Sequence, residues 1–326
     1  NWGSFGQYLE KLDSGGISLN VAGLVGHSTI RSAVMGCENR PPTVSELKRM
    51  KALVDRSMEE GAFGMSTGLV YAPSCYASIN ELVELSKVVA QHKGFYATDT
   101  RGQSETMLQA TIEAVDIGEL AGLPVHISHN VPHMIAASPT GRAEINLMIV
   151  DEARARGLDV TCDVHAYDSG GTSLSAMVPP WASEGGYLAL VRRLRRPDLR
   201  NRIREETLRE GARTGGSACR ALIKLGRWDK ILLAECEKNK DLCGKTFAEI
   251  AKKRGVDPFD ALFDLVIEER GVGQVIGLNR FEEEVEATMR HPSSMIGSDG
   301  YALAPYGILG QGKNHPRSYG NVPRVL

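Results

Sequence analysis

The 326-residue sequence has no excess of charge of either sign: 38 lysine and arginine residues stand against 40 aspartate and glutamate. Without a broad basic field, no nucleic-acid partner is expected. The one basic cluster, Arg192, Arg193, Arg195 and Arg196, is short enough to be a solvated helix face. No apolar run approaches the roughly 18 residues that a membrane-spanning helix needs, so no membrane partner is expected either. Cysteine is sparse: Cys37, Cys75, Cys162, Cys219, Cys236 and Cys243 include no C-x-x-C pair. That excludes a disulfide scaffold and points to reduced thiols in a cytoplasmic protein. An initiating Met and an apolar signal segment are also lacking, and the chain stops at Leu326 without a closing element, so both ends read as cut. Hydrophobic residues at 42% and charged residues at 24% exclude disordered and collagen-like chains.

What the sequence does contain is a repeated unit: a short β-rich run, a polar loop, then a stretch of helical period. The runs are Leu19 to Val25, Ala62 to Met65, Gly94 to Thr98, Pro124 to Ser128, Leu158 to Val164, Ile231 to Ala234, Gln274 to Ile276 and Met295 to Ser298. Helices are predicted over Thr43 to Glu60, with Thr43 and Ser45 as candidate caps, and over Ile79 to His92, Glu105 to Ala121 and Glu144 to Arg156. Each is followed by glycine (Gly61, Gly94, Gly122, Gly157), which permits the left-handed turn that ends a helix. Strand, loop, helix and glycine in rotation predict βα units and a parallel sheet.

A doubly wound sheet and a (β/α)₈ TIM-type barrel share that alternation, and the strand ends separate them. His27, Ser66 and Thr67, Asp99, His129, Asp163 with His165, and Asp299 all fall at or just after the C-terminal ends of strands. In a barrel those ends converge on one face, where active sites lie. No Gly-x-Gly-x-x-Gly follows the first strand, which argues against a dinucleotide fold. The barrel is therefore the expected fold, with residues 173–291 an insertion or elaborated crossover that carries a lid.

Imidazole and carboxylate groups gathered at a barrel mouth suit a divalent metal, Zn²⁺ first among them. His129 and Asp99, one βα unit apart, are the candidate ligands. Asp299, before Gly300, is the carboxylate placed to move a proton. His126, three residues before His129, points to the opposite side of its strand and reads as packed or supporting. Gly64-Met65-Ser66-Thr67-Gly68 has the outline of a nucleophile elbow, but no acid-then-His order follows it.

Several blocks carry a family resemblance. They are Gly64-Met65-Ser66-Thr67-Gly68-Leu69-Val70-Tyr71, Tyr96-Ala97-Thr98 with Arg101, Ile127-Ser128-His129, Met295 to Gly300, His315-Pro316-Arg317-Ser318-Tyr319-Gly320 and Pro323 to Leu326. Val25-Gly26-His27 with Arg31, and Pro179-Pro180-Trp181, agree in order and spacing. Together they resemble the N-acyl-D-amino-acid deacylases (D-aminoacylases) of the amidohydrolase superfamily. The resemblance implies a metal-dependent barrel in which metal-bound hydroxide attacks the acyl carbonyl of a small-molecule N-acyl amino acid, releasing a carboxylate and a D-amino acid. It implies His129 as metal ligand, Asp299 as general acid/base, and Tyr71 and Arg317 as substrate-binding residues, Arg317 pairing the α-carboxylate. Asp99 stands where the family has a metal-binding His, Val131 where it has a Lys, His165 where it has a Tyr and Gly171 where it has a Ser. His165 is placed with the substrate pocket and is a candidate replacement ligand. The family's N-terminal His-x-His pair, its Cys ligand and its small β-domain have no counterpart here, so residues 1–326 read as a partial barrel, from about its third strand to its eighth. An amidohydrolase acting on another amide or a cyclic imide, and a non-catalytic paralogue with a decayed metal site, remain as alternatives. Self-association as a homo-oligomer stays open.

Overall fold

The computed structural model describes residues 2–210 and 218–326. In chain order the elements begin with α1 (Phe5–Ser14), β1 (Leu24–Gly26), α2 (His27–Met35), α3 (Val44–Glu59), β2 (Gly64–Gly68), α4 (Ile79–Gln91) and β3 (Phe95–Asp99). Then come α5 (Met107–Ala121), β4 (Val125–Ile127), α6 (Arg142–Ala155), β5 (Val160–Val164) and β6 (Gly170–Ser173). The chain continues through α7 (Tyr187–Leu194), α8 (Pro197–Glu210), α9 (Ala218–Lys224), β7 (Ile231–Glu235), α10 (Phe247–Arg254) and α11 (Pro258–Glu268). It ends with β8 (Gln274–Gly277), α12 (Glu282–Met289), β9 (Ser294–Ile296) and α13 (Arg317–Val325).

Six strands form one sheet in the order β1-β2-β3-β4-β5-β9, every pair parallel. Helices α2 to α6 and then α12 touch one another in sequence along one side, as right-handed crossovers require. The face of the sheet beneath them carries Met65, Tyr96, Val125, Ile127, Val160 and Cys162, which pack on Met50, Val54, Leu82, Leu85, Ile117 and Leu147 in the main core. Strand alternation sends the other residues to the opposite face. There the register sets Ser66, Ala97, His126 and Thr161 side by side. His126 and Thr161 of that row are partly buried, and with Asp163 and Met295 they border an open cavity of about 600 Å³. Among the described residues β1 and β9 each have one neighbour, so the sheet is open and a closed eight-stranded barrel is not seen.

Local chemistry explains where elements start and stop. Thr43 caps α3 in a reciprocal box with Glu46, while Ser45 lies inside the helix. Gly61, Gly122 and Gly157 take left-handed backbone after α3, α5 and α6. After α4 the left-handed residue is Lys93 and not Gly94. Gly94 is required for space: a Cβ there would lie 2.7 Å from Met58 Cε and 2.9 Å from the Phe63 carbonyl oxygen. The run from Leu19 is a strand only from Leu24 onward, and Leu19 and Val21 are exposed.

From Gly170 to Gly277 the chain leaves the parallel repeat. Strands β6, β8 and β7 make an antiparallel sheet, and its apolar side joins a second core with Leu190, Leu194, Leu222, Phe247 and Phe263. Strand β6 is Gly-Gly-Thr-Ser, a sequence of weak strand propensity, and only its pairing with β8 makes it a strand. No helix among the described residues is long and apolar enough to cross a membrane.

Candidate active site

A cavity of about 570 Å³ opens where β2, β3 and β4 end, walled on its far side by β6 and β8. Asp99 is the last residue of β3 and is in register with Gly68 of β2. His129 and Asp299 follow β4 and β9, and both have left-handed backbone, φ 39° and 47°. That conformation is costly for residues with a Cβ, and the structure holds His129 in place from behind. The Asp163 carboxylate accepts the backbone N–H of His129 at 2.6 Å and the Nε2 hydrogen of His126 at 2.9 Å. These bonds keep Asp163 below the usual carboxylate range even though burial works against them. Gly297 leaves the room: a Cβ there would lie 2.9 Å from Asp163 Cγ.

His129 Nε2 stands 4.0 Å from Asp99 Oδ1 and 4.0 Å from Asp299 Oδ2. Gln103 Nε2 donates to Asp99 at 2.7 Å and lies 2.9 Å from His129 Nδ1. Burial pushes Asp99 up to about 6, with His129 opposing and Asp299 adding to the effect. Tyr71 reaches across to β6, its hydroxyl 3.0 Å from Thr172 Oγ1. Burial, with Asp99 adding to it, raises that phenol well above its ordinary value.

Arg317, at the start of α13, pairs with Asp299 at 2.5 Å and is held by the turn before it: its backbone N–H donates to His315 Nδ1 at 3.1 Å. The other ring nitrogen of His315 meets Ser169 Oγ at 3.0 Å. Burial, with Arg317 second, brings His315 down to about 3. Gly171 lets the guanidinium lie close, since a Cβ there would be 3.4 Å from Arg317 Nη2.

The structure thus brings Asp99, His129, Asp299, Tyr71 and Arg317 to one cavity. It places two other sequence candidates elsewhere. His165 was expected to face the substrate and to offer a ligand nitrogen. Instead its ring is fully buried outside the cavity lining, with Nε2 2.5 Å from Arg280 Nη1 and 3.3 Å from Arg317 Nη1. Burial and those two guanidiniums drive its pKa far down. Facing two cations, its lone pair is not open to a third. His27 is fully buried between Ser74 Oγ, at 2.6 Å, and Glu81, at 2.9 Å, where Arg31 forks onto the same carboxylate. That network is structural. Val131 is buried against Val164 and Val285.

Gln103, His133, Asn279 and Arg280 line the cavity and escaped the sequence reading. Gln103 and His133 each lie four positions after a recognised strand-end residue, in loops whose path no periodicity reveals. Asn279 and Arg280 follow β8 and obey the same strand-end rule that found Asp99. His133 is buried, and neither ring nitrogen has a hydrogen-bond partner among the described residues.

The donor chemistry fits a divalent cation in kind and falls short in number. His129 offers an imidazole and Asp99 a carboxylate, but Asp299 is engaged by Arg317. Among the described residues no group of three or more His, Cys, Asp and Glu side chains is arranged to hold a metal ion. Catalytic zinc sites use three protein ligands.

No family model matches the chain. Over 323 residues, 99% of its length, it is 29% identical to a D-aminoacylase of Alcaligenes xylosoxydans xylosoxydans, of which it covers 54%. It is 26% identical to an N-acyl-D-glutamate deacylase of the same organism over 319 residues, 98% of this chain and 53% of that one. Among solved structures, the N-acyl-D-glutamate deacylase of Bordetella bronchiseptica, complexed with zinc and a phosphonate mimic of the tetrahedral intermediate, superposes with a TM-score of 0.75 at 26% identity, covering 98% of this chain and 54% of that one. A D-aminoacylase described as defining a novel subset of amidohydrolases gives 0.74 at 29% identity, covering 99% and 55%. The chain is therefore similar along nearly its whole length to D-aminoacylases of the amidohydrolase superfamily, and it spans about half the length of the curated relatives it matches.

Proposed function

We propose that the cavity is the centre of a metal-dependent amide hydrolase whose substrates are N-acyl-D-amino acids, and that the parallel sheet is part of a (β/α)₈ barrel in which residues 173–291 are the elaborated crossover. The observation that carries this reading is the meeting of Asp99, His129, Asp299, Tyr71 and Arg317 at the C-terminal ends of parallel strands, in a chain alignable from end to end with D-aminoacylases. His129 and Asp99 would hold the cation, Zn²⁺ by donor type, with Asp in a position where an imidazole is usual. When bound, a divalent cation supplies Lewis acidity to the amide carbonyl and to water.

The chain's own groups account for the rest. Asp299, 37% exposed beside Arg317, takes a proton from the attacking water and returns it to the leaving nitrogen. The amide C–N bond breaks, a C–O bond forms, and the amine leaves protonated. Arg317 orients Asp299 through their ion pair. Tyr71, kept protonated by burial, donates a hydrogen bond to an oxygen of the acyl group. His165 serves the substrate through the two guanidiniums it steadies. The test is release of free amine from N-acetyl-D-amino acids with and without added Zn²⁺, on the wild type and Asp299→Asn. We expect activity only with metal and a loss of roughly 10²- to 10⁴-fold in the variant. Turnover of the L-enantiomers alone, or of cyclic imides alone, would move the substrate class.

The short donor set specifically favours a second reading, a non-catalytic paralogue. Asp99→His separates the two: a gain in metal-dependent turnover marks a decayed site, and a loss marks Asp99 as functional.

A further inference from the structure

The cavity contains two buried guanidiniums, and only one has a counter-charge. Arg317 has Asp299 at 2.5 Å. Arg280 is 3% exposed and forms no ion pair among the described residues. Its Nη1 faces the neutral ring of His165 at 2.5 Å, its backbone N–H donates to the Asp168 carbonyl at 2.9 Å, and its Nε has no partner. Asp299, Asp163 and Asp99 reach it only through the longer-range field, while burial and Arg317 bring it down to about 10. A buried cation without an adjacent anion is an expensive arrangement. It persists where a ligand supplies the missing charge.

The wall around it has the same unfinished character. Among the described residues, Asn279 is 2% exposed with an unpartnered side-chain oxygen, and His133 is 4% exposed with both ring nitrogens unpartnered. All three residues line the cavity that holds Asp99, His129 and Asp299.

We propose that Arg280 is the residue that receives the carboxylate of the substrate, leaving Arg317 to hold Asp299. The inference rests on the reading of the cavity as an acyl-amino-acid site and names which cation recognises the acid. The Arg280 Nε–H is a donor waiting for an acceptor, and a neutral His133 has a ring N–H to add. Arg317 cannot serve a carboxylate fully without releasing Asp299, whereas Arg280 gives up only a contact with a neutral imidazole.

The experiment measures binding without metal, so that no turnover intervenes. N-acetyl-D-leucine and N-acetyl-D-leucinamide, matched except for the carboxylate, are titrated into the wild-type chain. The resonance of Arg280 Nε–H is followed by ¹⁵N NMR, and affinities are measured by calorimetry. The expected result is a shift of that resonance with the acid alone, and a preference for the acid of roughly tenfold to a hundredfold. Arg280→Gln should abolish the preference, Arg280→Lys should restore part of it, and Arg317→Gln should leave it standing. A preference that survives Arg280→Gln, or vanishes in Arg317→Gln, overturns the inference while the amide-hydrolase reading stands. Wild type that binds neither compound overturns both. Should Arg280→Gln fail to fold, the wild-type resonance decides alone, and an unmoved Nε–H counts against the proposal.

Discussion

His129 and Asp299 are aimed into the cavity by a backbone conformation that neither residue favours, and one carboxylate and one glycine hold the first of them there. Asp163 fixes the His129 amide, and Gly297 gives Asp163 its room. Gly297→Ala should therefore act at a distance. The added methyl overlaps Asp163, and overpacking of this kind costs about 1–3 kcal/mol. A urea titration should show the lowered midpoint, and activity should fall with it as His129 loses its anchor. An unchanged midpoint and unchanged activity would mean that Asp163 is free to retreat. At this scale the sequence disclosed what the strand-end rule could reach: Asp99, His129 and Asp299. Gln103 and His133 stayed hidden because loops obey no period, and His165 was misplaced because chain proximity to Asp163 said nothing of two arginines contributed by distant segments.

Elements are held by their termini as much as by their faces. The sharpest case lies after β7, where the Glu269 carboxylate accepts the backbone N–H groups of Glu237, Lys238 and Asn239 and the side-chain amide of Asn239. Glu269 is 2% exposed, so none of those donors would be fully rehydrated on its removal. Glu269→Ala should cost about 3 kcal/mol or more, read as a lower thermal midpoint and faster hydrogen exchange confined to residues 236–243. A loss spread evenly over the molecule would contradict this account. Helices α3 to α6 were legible to within about two residues at each end because apolar periodicity and following glycines mark them. Strand β6 was not, since its identity comes from its partner and not from its own side chains.

For the whole molecule, buried neutral histidines set the response to acid. His315 is held at about 3, and His165 lies lower still, against about 6.5 for an unfolded histidine. Below pH 6.5 the unfolded chain binds protons that the folded chain refuses, so stability is fully present above that value and is lost as pH falls toward 3. Each such histidine costs up to about 1.4 kcal/mol per pH unit in that window. Asp99, raised to about 6, works in the opposite sense between about pH 6 and 4, because the folded state then binds the extra proton. Two histidines outweigh one carboxylate, so the thermal midpoint should still fall between pH 6.5 and 5. A thermal midpoint that holds steady from pH 7.5 to 5, or is equally acid-sensitive in His315→Gln, would remove the histidines from the explanation.

The order of strands has a kinetic consequence. Strands β1 to β5 pair with their neighbours in sequence, so that part of the sheet can form by successive short closures. The β5–β9 ladder, which sets Cys162 beside Ser294, closes over the long intervening segment and is the costliest closure of the sheet in chain entropy. Asp299 and Arg317 lie beyond that last ladder, while Asp99 and His129 lie before it. The cavity therefore exists only when segments on both sides of that long connection are docked together, and a break in the second core should be felt as a loss of the site.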